Sequence, residues 1–600
     1  MNADRPDQTS SRVCCITPNA MRRIWLALPL LVACSQRGSD AGEGSSTSRA
    51  PESVPSAWRD AHRATVATGE SAMVVTAAPL ATRVGVDVLR SGGNAADAAV
   101  AVAFALAVVY PTAGNLGGGG FIVTRMGQAS AALDFREVAP AASSRDMYLD
   151  AKGNVTNKSL IGSLAAGVPG SVAGLWALHQ KFGSKPWAAL LQPAIALADS
   201  GFAADSAFIA GDAERPRLQQ FPASAALFVP NGALVAYGAT WRDPDLAATL
   251  RRIAAHGRDG FYTDSTASLV AAEMKRSGGI ITLADLKNYE AIWRSPVEFD
   301  YRGHHVISMP PASSGGLTIA LITHVLSGFD LHGMGWHSPE AIRVIAEAER
   351  AAFARRNTLL GDPAFVKIPT DVFLSPDTAA AIRAAIASAS VDSSAPRAPA
   401  RERHTTHFSV VDAQGNAVAM TTTLNNGFGS AVTVAGAGFL LNDEMDDFTA
   451  KVGAVNAMGL RQGEANAIQP GKRMLSSMTP TIVLDSAGAP MLVTGASGGA
   501  RIITGVTQIM INVLDYGFPL GTAEVAPRFH AQDYPDSLEL ERGGYGDAVV
   551  RALTVHGQHP TFNTNPYEDD EFSWVQSILR VGRTWQGVAE PRSVGLALGY

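Results

Sequence analysis

Polar and apolar residues alternate with two different periods along this chain of 600 residues. From about Gly167 to Ile386, most segments have an apolar residue every three to four positions, as in PEAIRVIAEAERAAFARR, which predicts amphipathic helices. Nearer the N-terminus, NAADAAVAVAFALAVVYP is apolar on every side. It predicts a buried helix that Asn94 caps and that ends before Pro111.

From His407 onward the spacing changes to that of paired strands. HFSVVD and AVAMTTTLN flank the turn AQGN, and PTIVLD and PMLVTGAS precede the helix ARIITGVTQIMINVLDY. A glycine turn, GNLGGGGFIVTRM, also leads into a strand in the N-terminal half. Helices before, between and after antiparallel strand pairs predict a layered core in which sheet packs on sheet and helices lie outside.

The N-terminal 60 residues follow neither period. The basic segment that begins at Met21 is followed by the apolar run IWLALPLLVA and by Cys34, which is a signal-peptide layout too short to span a membrane. LVAC resembles a bacterial lipobox, in which the cysteine is lipidated and becomes the N-terminus; an ordinary cleaved signal with a chance cysteine is the alternative. The residues before Met21 lack this pattern, which favours Met21 as the true start. Residues 35–60 predict a flexible tether.

This layout predicts an exported, periplasmic protein. Residues 1–34 are therefore predicted to be a signal peptide with a lipobox. Ser35 follows the lipobox cysteine where an aspartate would favour inner-membrane retention, so the lipid on Cys34 is predicted to anchor the protein to the outer membrane. Composition adds that 46% of residues are hydrophobic and 17% charged, which suits a large globular core. The net charge is −6 without a long basic stripe, so nucleic acid is not an expected partner.

Cysteine usage and histidine spacing argue against a metal site. All three cysteines lie within the first 34 residues, so the body of the chain has no thiolate ligands. His404 and His407 flank two threonines, but positions three apart on a strand face opposite sides. We therefore expect no metal and no cofactor.

Thr405 opens a predicted strand directly after a polar, Pro- and Ser-rich stretch. A threonine hydroxyl is a poor nucleophile unless a base lies beside it, and a free α-amino group on the same residue is such a base. An interior threonine gains this amine only when the peptide bond before it is cut. Such linkers are common before strands, so the pattern alone is a weak indication.

The segment from Gly495 to Gly499 matches G-x-S-x-G, with a predicted strand before it and a helix after it. One interpretation is the nucleophile elbow of an α/β-hydrolase, with Ser497 attacking, although only about 100 residues remain for the acid and the histidine. The other is that Gly498 and Gly499 present bare backbone N–H groups to a developing oxyanion. Both interpretations place this turn at an active site.

Several motifs, in order, resemble one family. TTHFSVVDAQGNAVAMTTTLN, LNDEMDDF, RMLSSMTPTIV and VTGASGGARI closely resemble the γ-glutamyltransferases, which are N-terminal nucleophile hydrolases, and GGNAADAAVA, NLGGGGF, DFRE and LGDPAFV match upstream. The resemblance runs from about Gly69 to Tyr600. It implies an α+β fold, a four-layer αββα sandwich, made of two chains from one proenzyme. Residues 61–404 would form the large subunit and 405–600 the small one, paired as a heterodimer.

The resemblance also implies residue roles. Thr405 would become the new N-terminus after self-cleavage of the His404–Thr405 bond and would act as nucleophile, supported by the hydroxyl of Thr423. The resemblance assigns the oxyanion to Gly498 and Gly499, the α-carboxylate of the substrate to Arg136, Ser476 and Ser477, and its α-amino group to Asn425, Glu444 and Asp447. A zwitterionic glutamyl head needs such cationic and anionic partners on opposite sides. Ser497 loses its candidate role.

The implied activity is transfer of the γ-glutamyl group of glutathione, or a related γ-glutamyl compound, to water or to an amino acid or dipeptide acceptor. Two positions depart from the family pattern. Met458 stands where many members carry a lid tyrosine, and Arg355 replaces a common acidic residue. The alternatives are a cephalosporin or glutaryl acylase on the same fold and an unprocessed, lipid-anchored binding protein.

Overall fold

The computed structural model describes residues 55, 58–209, 211–388, 405–562 and 572–600. The predicted signal peptide with Met21 and Cys34, most of the predicted tether, and His404 lie outside these ranges. Within them the strands are β1 (Ala67–Gly69), β2 (Met73–Thr76), β3 (Gly119–Met126), β4 (Ala129–Asp134), β5 (Phe202–Ala203), β6 (Thr240–Trp241), β7 (Ile292–Arg294), β8 (Val297–Tyr301), β9 (His304–Ser308), β10 (Thr405–Val411), β11 (Ala417–Thr423), β12 (Thr481–Leu484), β13 (Pro490–Thr494), β14 (Phe529–Ala531), β15 (Leu538–Leu540), β16 (Pro560–Phe562), β17 (Gln576–Val581), β18 (Thr584–Ala589) and β19 (Leu596–Gly599).

The helices of the described residues lie mostly between β4 and β10. They are α1 (Pro79–Arg90), α2 (Ala95–Val109), α3 (Ser171–Phe182), α4 (Trp187–Ser200), α5 (Arg215–Leu218), α6 (Pro222–Phe228), α7 (Pro244–His256), α8 (Asp259–Tyr262), α9 (Ser265–Ser277), α10 (Leu283–Asn288), α11 (Gly315–Leu326), α12 (Leu331–Met334), α13 (Pro339–Leu359), α14 (Thr370–Leu374), α15 (Pro376–Ser388), α16 (Arg501–Leu514), α17 (Leu520–Val525) and α18 (Asp547–Val555). In the part of the chain described, no helix is both long and apolar enough to cross a membrane.

Two seven-stranded sheets organise the fold, and every strand pair in them is antiparallel. One sheet has the order β1-β18-β17-β13-β12-β9-β8, and the other has the order β19-β2-β10-β11-β3-β4-β7. β14, β15 and β16 form a small third sheet, and β5 pairs with β6. The prediction of antiparallel strand pairs is confirmed. The helical region also contains β7, β8 and β9, which the sequence pattern did not predict.

Alternation along the central strands divides the core. In β2, Met73 and Val75 belong to the apolar cluster that also holds Ile482 and Val493 of the other sheet. Val74, between them, belongs to the cluster that contains α2. Successive strand residues face opposite sides, so one face of this sheet packs on helices and the other on the facing sheet.

The predicted buried helix is confirmed as α2. All of its residues are buried, and the Asn94 side chain accepts from the N–H of Asp97 while the Asp97 side chain accepts from that of Asn94. The helix packs against β10 and β11, and β10 and β11 in turn contact β17 and β13 of the other sheet. α2 therefore supports, from behind, the two strands that carry the candidate threonines.

Candidate active site

The two candidate threonines lie side by side at the end of one hairpin. β10 begins at Thr405 and β11 ends at Thr423, and the register pairs these two residues directly. Paired residues of neighbouring strands point to the same side, and the Thr405 hydroxyl donates to Thr423 Oγ1 at 3.3 Å. The backbone N–H of Asn425 also donates to Thr423 Oγ1, at 2.8 Å. The hairpin thus presents a hydroxyl pair whose second member is held by the backbone.

Arg136 follows β4 and is completely buried. Its Nη1 donates to Glu444, its Nη2 donates to Asp447, and its Nε donates to the carbonyl of Met474 at 3.3 Å. Glu137 Oε2 lies 3.7 Å from the same Nη1. Burial lowers the pKa of Arg136, but the attraction of the carboxylates outweighs it and raises the pKa above the ordinary value. This guanidinium stays charged at every working pH.

The carboxyl groups around Arg136 have raised pKa values. Burial raises the pKa of Glu444 and of Asp447, against the opposing attraction of Arg136. Burial likewise raises the pKa of Glu137 to about 8, and neither of its carboxyl oxygens has a hydrogen-bond partner among the described residues. One buried cation therefore faces three carboxyl groups, and at least one of these groups readily holds a proton.

Ser476 and Ser477 lie in the segment before β12. The backbone N–H of Ser476 donates to the carbonyl of Ala312 at 3.0 Å, which ties this segment to the turn before α11. The Ser477 hydroxyl accepts from Nη2 of Arg356 at 3.1 Å. Both serines are nearly inaccessible to solvent, at 2% and 8% exposure.

Gly498 and Gly499 form the turn between β13 and α16. Their φ angles are 119° and 60°, in the region that favours glycine, so a side chain at either position would strain this turn. α16 begins two residues later, at Arg501. Backbone N–H groups at a helix start are well placed to bind a negative charge.

One cleft collects nearly all of the predicted residues. It is lined by nine of the ten candidates, namely Arg136, Thr405, Thr423, Asn425, Glu444, Asp447, Ser476, Ser477 and Gly499. Gly498, the tenth, is adjacent to Gly499. Met458, Leu460, Met478 and Ile502 complete the lining. Five separate stretches of the chain converge here on a lining that is mostly polar, with four apolar side chains.

The nucleophile-elbow interpretation of Ser497 does not fit the structure. β13, which precedes the turn, is antiparallel to both of its neighbours, whereas that elbow belongs to a largely parallel sheet. Ser497 does not line the cleft, and its backbone N–H and carbonyl bond to Trp574 and Ser573. His530 bonds instead to Thr504 and Gln532, at 3.0 Å each.

His407 faces between the two sheets, two residues after Thr405. Its Nδ1 lies 2.8 Å from Thr421 Oγ1 and its Nε2 lies 3.1 Å from Ser409 Oγ. Ser409 donates its own proton to the carbonyl of Gln576 at 2.9 Å, so His407 carries its proton on Nε2. Burial lowers the pKa of His407 to about 3. The described residues contain no group of three or more His, Cys, Asp or Glu side chains arranged to hold a metal ion.

The two departures from the family pattern lie in different surroundings. Met458 is 5% exposed and lines the cleft, and its backbone N–H donates to the Asn456 side chain at 3.0 Å. Asn456 in turn donates to Asp447 at 3.3 Å, so the segment around Met458 is attached to a carboxylate of the cleft. Arg355 is half-buried and donates to the carbonyl of Ala351 in its own helix.

Sequence reasoning assigned no role to Arg356, which lies directly behind Ser477. A usable signal was present, because Arg356 falls on the apolar stripe of α13, which includes Ile342, Ile345 and Phe353. A charged residue at a core position of an amphipathic helix indicates either a buried ion pair or a site residue. Glu137 also received no role from the sequence, because the role assigned to its neighbour Arg136 already explained the DFRE motif.

The family model described as gamma-glutamyltranspeptidase matches residues 81–600 of this chain. The chain belongs to the gamma-glutamyltranspeptidase family. A glutathione hydrolase proenzyme from a Pseudomonas species is 47% identical over 554 residues, which cover 88% of this chain and 94% of that protein. The glutathione hydrolase proenzyme of Escherichia coli is 42% identical over 544 residues, covering 88% and 92% of the two chains.

Among solved structures, the cephalosporin acylase from Bacillus halodurans is similar to this chain, with a TM-score of 0.78. It is 26% identical, and the match covers 89% of this chain and 97% of the acylase. The mixed fold with antiparallel sheets is thus that of the N-terminal nucleophile hydrolases. In sequence this gamma-glutamyltranspeptidase family member is closer to the glutathione hydrolases than to that acylase.

Proposed function

We propose that this chain is a self-cleaving γ-glutamyltransferase that also hydrolyses glutathione. The observation that carries the proposal is the cleft in which the Thr405–Thr423 hydroxyl pair lies together with Arg136 and its carboxylate partners. A nucleophile beside a fixed zwitterion-binding group suits a donor whose reacting amide and α-amino acid head belong to one small molecule. Membership of the gamma-glutamyltranspeptidase family supports this reading.

The glutamyl head of the donor carries one negative and one positive group, and the cleft offers partners for both. Its α-carboxylate would bind the guanidinium of Arg136 and the hydroxyls of Ser476 and Ser477. Its α-ammonium group would bind Glu444 and Asp447. The Asn425 side chain donates through Nδ2 to the carbonyl of Asp443 at 3.1 Å, which leaves Oδ1 as a further acceptor for the ammonium group.

Turnover would proceed in two halves through an ester. Thr405 Oγ1 attacks the γ-carbonyl carbon, its proton passes to the free α-amino group of Thr405, and the leaving amine then takes that proton. The Thr423 hydroxyl positions the attacking oxygen, and the N–H groups of Gly498 and Gly499 stabilise the oxyanion. Water, or the amine of an amino acid or dipeptide, then attacks the acyl-enzyme and releases glutamate or a new γ-glutamyl amide.

The α-amino group exists only after the bond before Thr405 is cut. We infer a four-layer αββα sandwich made of a large chain, ending at His404, and a small chain that begins at Thr405. Contacts between the two sheets support the layers, as do α2 and α11, which pack on different sheets. β10 and β11 of the small chain pair with β2 and β3 of the large one. Shared sheets would keep the two chains together as a heterodimer.

The test combines a gel with a donor assay. Purified protein should give two bands under denaturing conditions, and it should release glutamate from glutathione. A dipeptide acceptor should divert part of the acyl group into a new γ-glutamyl peptide. A single band without turnover would favour the unprocessed binding protein.

A cephalosporin or glutaryl acylase remains the second candidate, because the solved acylase shares the fold. A glutaryl group lacks the α-amino and α-carboxylate groups. Arg136 with Glu444 and Asp447 would then be a buried ionic cluster without a ligand, and such clusters cost desolvation energy. Faster hydrolysis of a glutaryl amide than of the matching γ-glutamyl amide would favour the acylase.

We further propose export to the periplasm with a lipid anchor at Cys34, for which the lipobox pattern is the support. Labelled fatty acid should enter the wild-type protein in cells. Cys34→Ala should release the protein from the membrane into the soluble fraction. Absence of label from the wild-type protein would leave an ordinary cleaved signal as the explanation.

A further inference from the structure

A second buried guanidinium lies behind the cleft, and the mechanism above does not use it. Arg356 on α13 has no exposed surface. It donates to Ser314 Oγ at 3.0 Å, to Gln462 Oε1 at 2.8 Å, to Asn357 Oδ1 at 2.9 Å and to Ser477 Oγ at 3.1 Å. All four acceptors are neutral. Among the described residues no carboxylate forms an ion pair with Arg356, whereas Arg136 contacts three.

A buried cation without a direct counter-ion destabilises the folded protein, because no ion pair offsets the hydration free energy that it loses. Burial lowers the pKa of Arg356 to about 10, while the more distant Asp447 and Asp533 oppose the shift. The group is therefore still charged near neutral pH. The cleft is lined by Ser477, one of the four groups that Arg356 contacts, so this charge lies one hydrogen bond away from the substrate site.

The hydrogen bond from Arg356 determines which way the Ser477 hydroxyl points. Arginine has only donors, so Ser477 Oγ must be the acceptor and its own proton is left for another partner. The described residues offer that proton no acceptor within hydrogen-bond distance. Ser477 lines the cleft, so its proton is available to an anionic group of the substrate.

The same logic orients two further groups. Gln462 accepts from Arg356 through Oε1, so its Nε2 is the atom that donates to the carbonyl of Asp447 at 3.0 Å. Ser314 accepts from Arg356 and donates to the carbonyl of Ser476 at 2.6 Å. One guanidinium thus orders both the serine segment and the segment that contains Asp447.

We propose that Arg356 is a positioning residue that sets donor specificity. It turns the Ser477 hydroxyl toward the α-carboxylate of the donor and, through Gln462, holds the segment that carries Asp447. Its positive charge favours the same carboxylate. This inference rests on the proposed γ-glutamyl specificity, and it makes recognition of the α-amino acid head depend on a residue that contributes no atom to the cleft lining.

The test compares Arg356→Met with Arg355→Met, which removes the neighbouring guanidinium, whose hydrogen bond is to its own helix. The substrates are γ-glutamyl-p-nitroanilide and glutaryl-p-nitroanilide. Arg356→Met should raise KM for the γ-glutamyl donor about tenfold and change kcat less than about threefold, because ground-state recognition is lost. The glutaryl donor should change less than about twofold, since it lacks the recognised groups. Arg355→Met should leave both donors unchanged.

A second measurement separates positioning from general damage. Combined with Ser477→Ala, Arg356→Met should cost little more than Arg356→Met alone, because the contact to Ser477 is already lost in that variant. If Arg356→Met does not accumulate as two folded chains, Arg356→Lys replaces it, since lysine keeps the charge but cannot bind Ser477 and Gln462 together. Its KM shift should have the same direction and be smaller.

Equal losses on both donors, or fully multiplicative losses with Ser477→Ala, would overturn the role of Arg356. Failure of the proposed function looks different. In that case the wild-type enzyme itself would prefer the glutaryl donor, before any substitution is made. The wild-type comparison therefore comes first, and the variants are interpreted against it.

Discussion

The two sides of the cleft use opposite physical means. The binding side, formed by Arg136, Glu444 and Asp447, is ionic and has no exposed guanidinium surface. The reacting side, formed by Thr405, Thr423 and the Gly498–Gly499 turn, is neutral and consists of hydroxyls and backbone N–H groups. Fixed charges suit a ground state that is already a zwitterion. Neutral donors suit a charge that appears only during the reaction.

The pKa shifts follow the same division. On the binding side burial raises the carboxyl pKa values, as for Glu137 at about 8. Beside the reacting side burial lowers the pKa of His407 to about 3. In both places burial favours the uncharged form, and Arg136 keeps its charge because the attraction of its carboxylate partners outweighs that effect. Substitutions on the reacting side should therefore impair catalysis, and those on the binding side should impair substrate recognition.

The largest effect is expected for Thr405→Ala on the reacting side. Without the hydroxyl neither self-cleavage nor acyl-enzyme formation is possible, so a gel should show one chain. Activity on glutathione should fall by more than about a thousandfold, as for other removed nucleophiles.

Two control variants sharpen this test. Thr406 lies on the opposite face of β10 and has a buried hydroxyl without a hydrogen-bond partner among the described residues. Thr406→Val should therefore still split into two chains with nearly normal stability. Ser497→Ala should split as well. Normal cleavage in Thr405→Ala together with a block in Ser497→Ala would reverse the assignment of the nucleophile.

On the binding side, Arg136→Ala or Arg136→Lys should leave maturation intact and weaken recognition. Hydrogen bonds to a charged group contribute about 1.5–3 kcal/mol, and a lysine cannot reproduce the forked contact. We expect kcat/KM for the γ-glutamyl donor to fall roughly ten- to several-hundred-fold, with two bands still present on a gel. The glutaryl donor should be far less affected. Loss of the split, or equal losses on both donors, would make Arg136 a structural residue.

The next effect concerns how His407, beside the reacting side, makes the free energy of unfolding depend on pH. His407 is neutral in the folded protein but titrates with a pKa near 6.5 when unfolded. Between pH 6.5 and about 3 the unfolded state binds the extra proton, so stability falls as pH falls, by up to about 1.4 kcal/mol per unit. His407→Gln should flatten this slope in urea unfolding curves measured between pH 4.5 and 6.5. An unchanged slope would mean that His407 is not neutral in the folded state.

The smallest effect is expected at the lid. The thioether of Met458 is a weak acceptor and no donor, whereas a tyrosine hydroxyl could add a hydrogen bond of about 1 kcal/mol across the cleft. Met458→Tyr should change the ratio of transfer to hydrolysis by a few fold and leave glutathione binding nearly unaltered. Competition between water and a dipeptide acceptor gives this ratio directly. A constant ratio would remove the lid position from acceptor choice.

The pattern of polar and apolar residues was enough to predict the strands and the helix that carry the reacting side. Alternation around the turn AQGN predicted the hairpin of β10 and β11, and the all-apolar run after Asn94 predicted the helix behind it. It was not enough for the turn at Gly495–Gly499, where the same five residues fit a nucleophile elbow or an oxyanion site. The antiparallel neighbours of β13 removed the first of these, and such neighbours come from strands that lie far away in the chain.

By itself the sequence determined the family, the elements and the candidate residues, because motif order and hydrophobic period are properties of neighbours along the chain. Only the tertiary structure decided that Arg136 meets Glu444, 308 positions later. It also decided that Arg356 lies behind Ser477 and that its hydrogen-bond partners among the described residues are all neutral. Such contacts depend on how the two sheets and the helix α13 pack, and burial together with ion pairing then sets the charges in the cleft. Neither the packing nor the burial of these groups can be predicted from a short stretch of sequence.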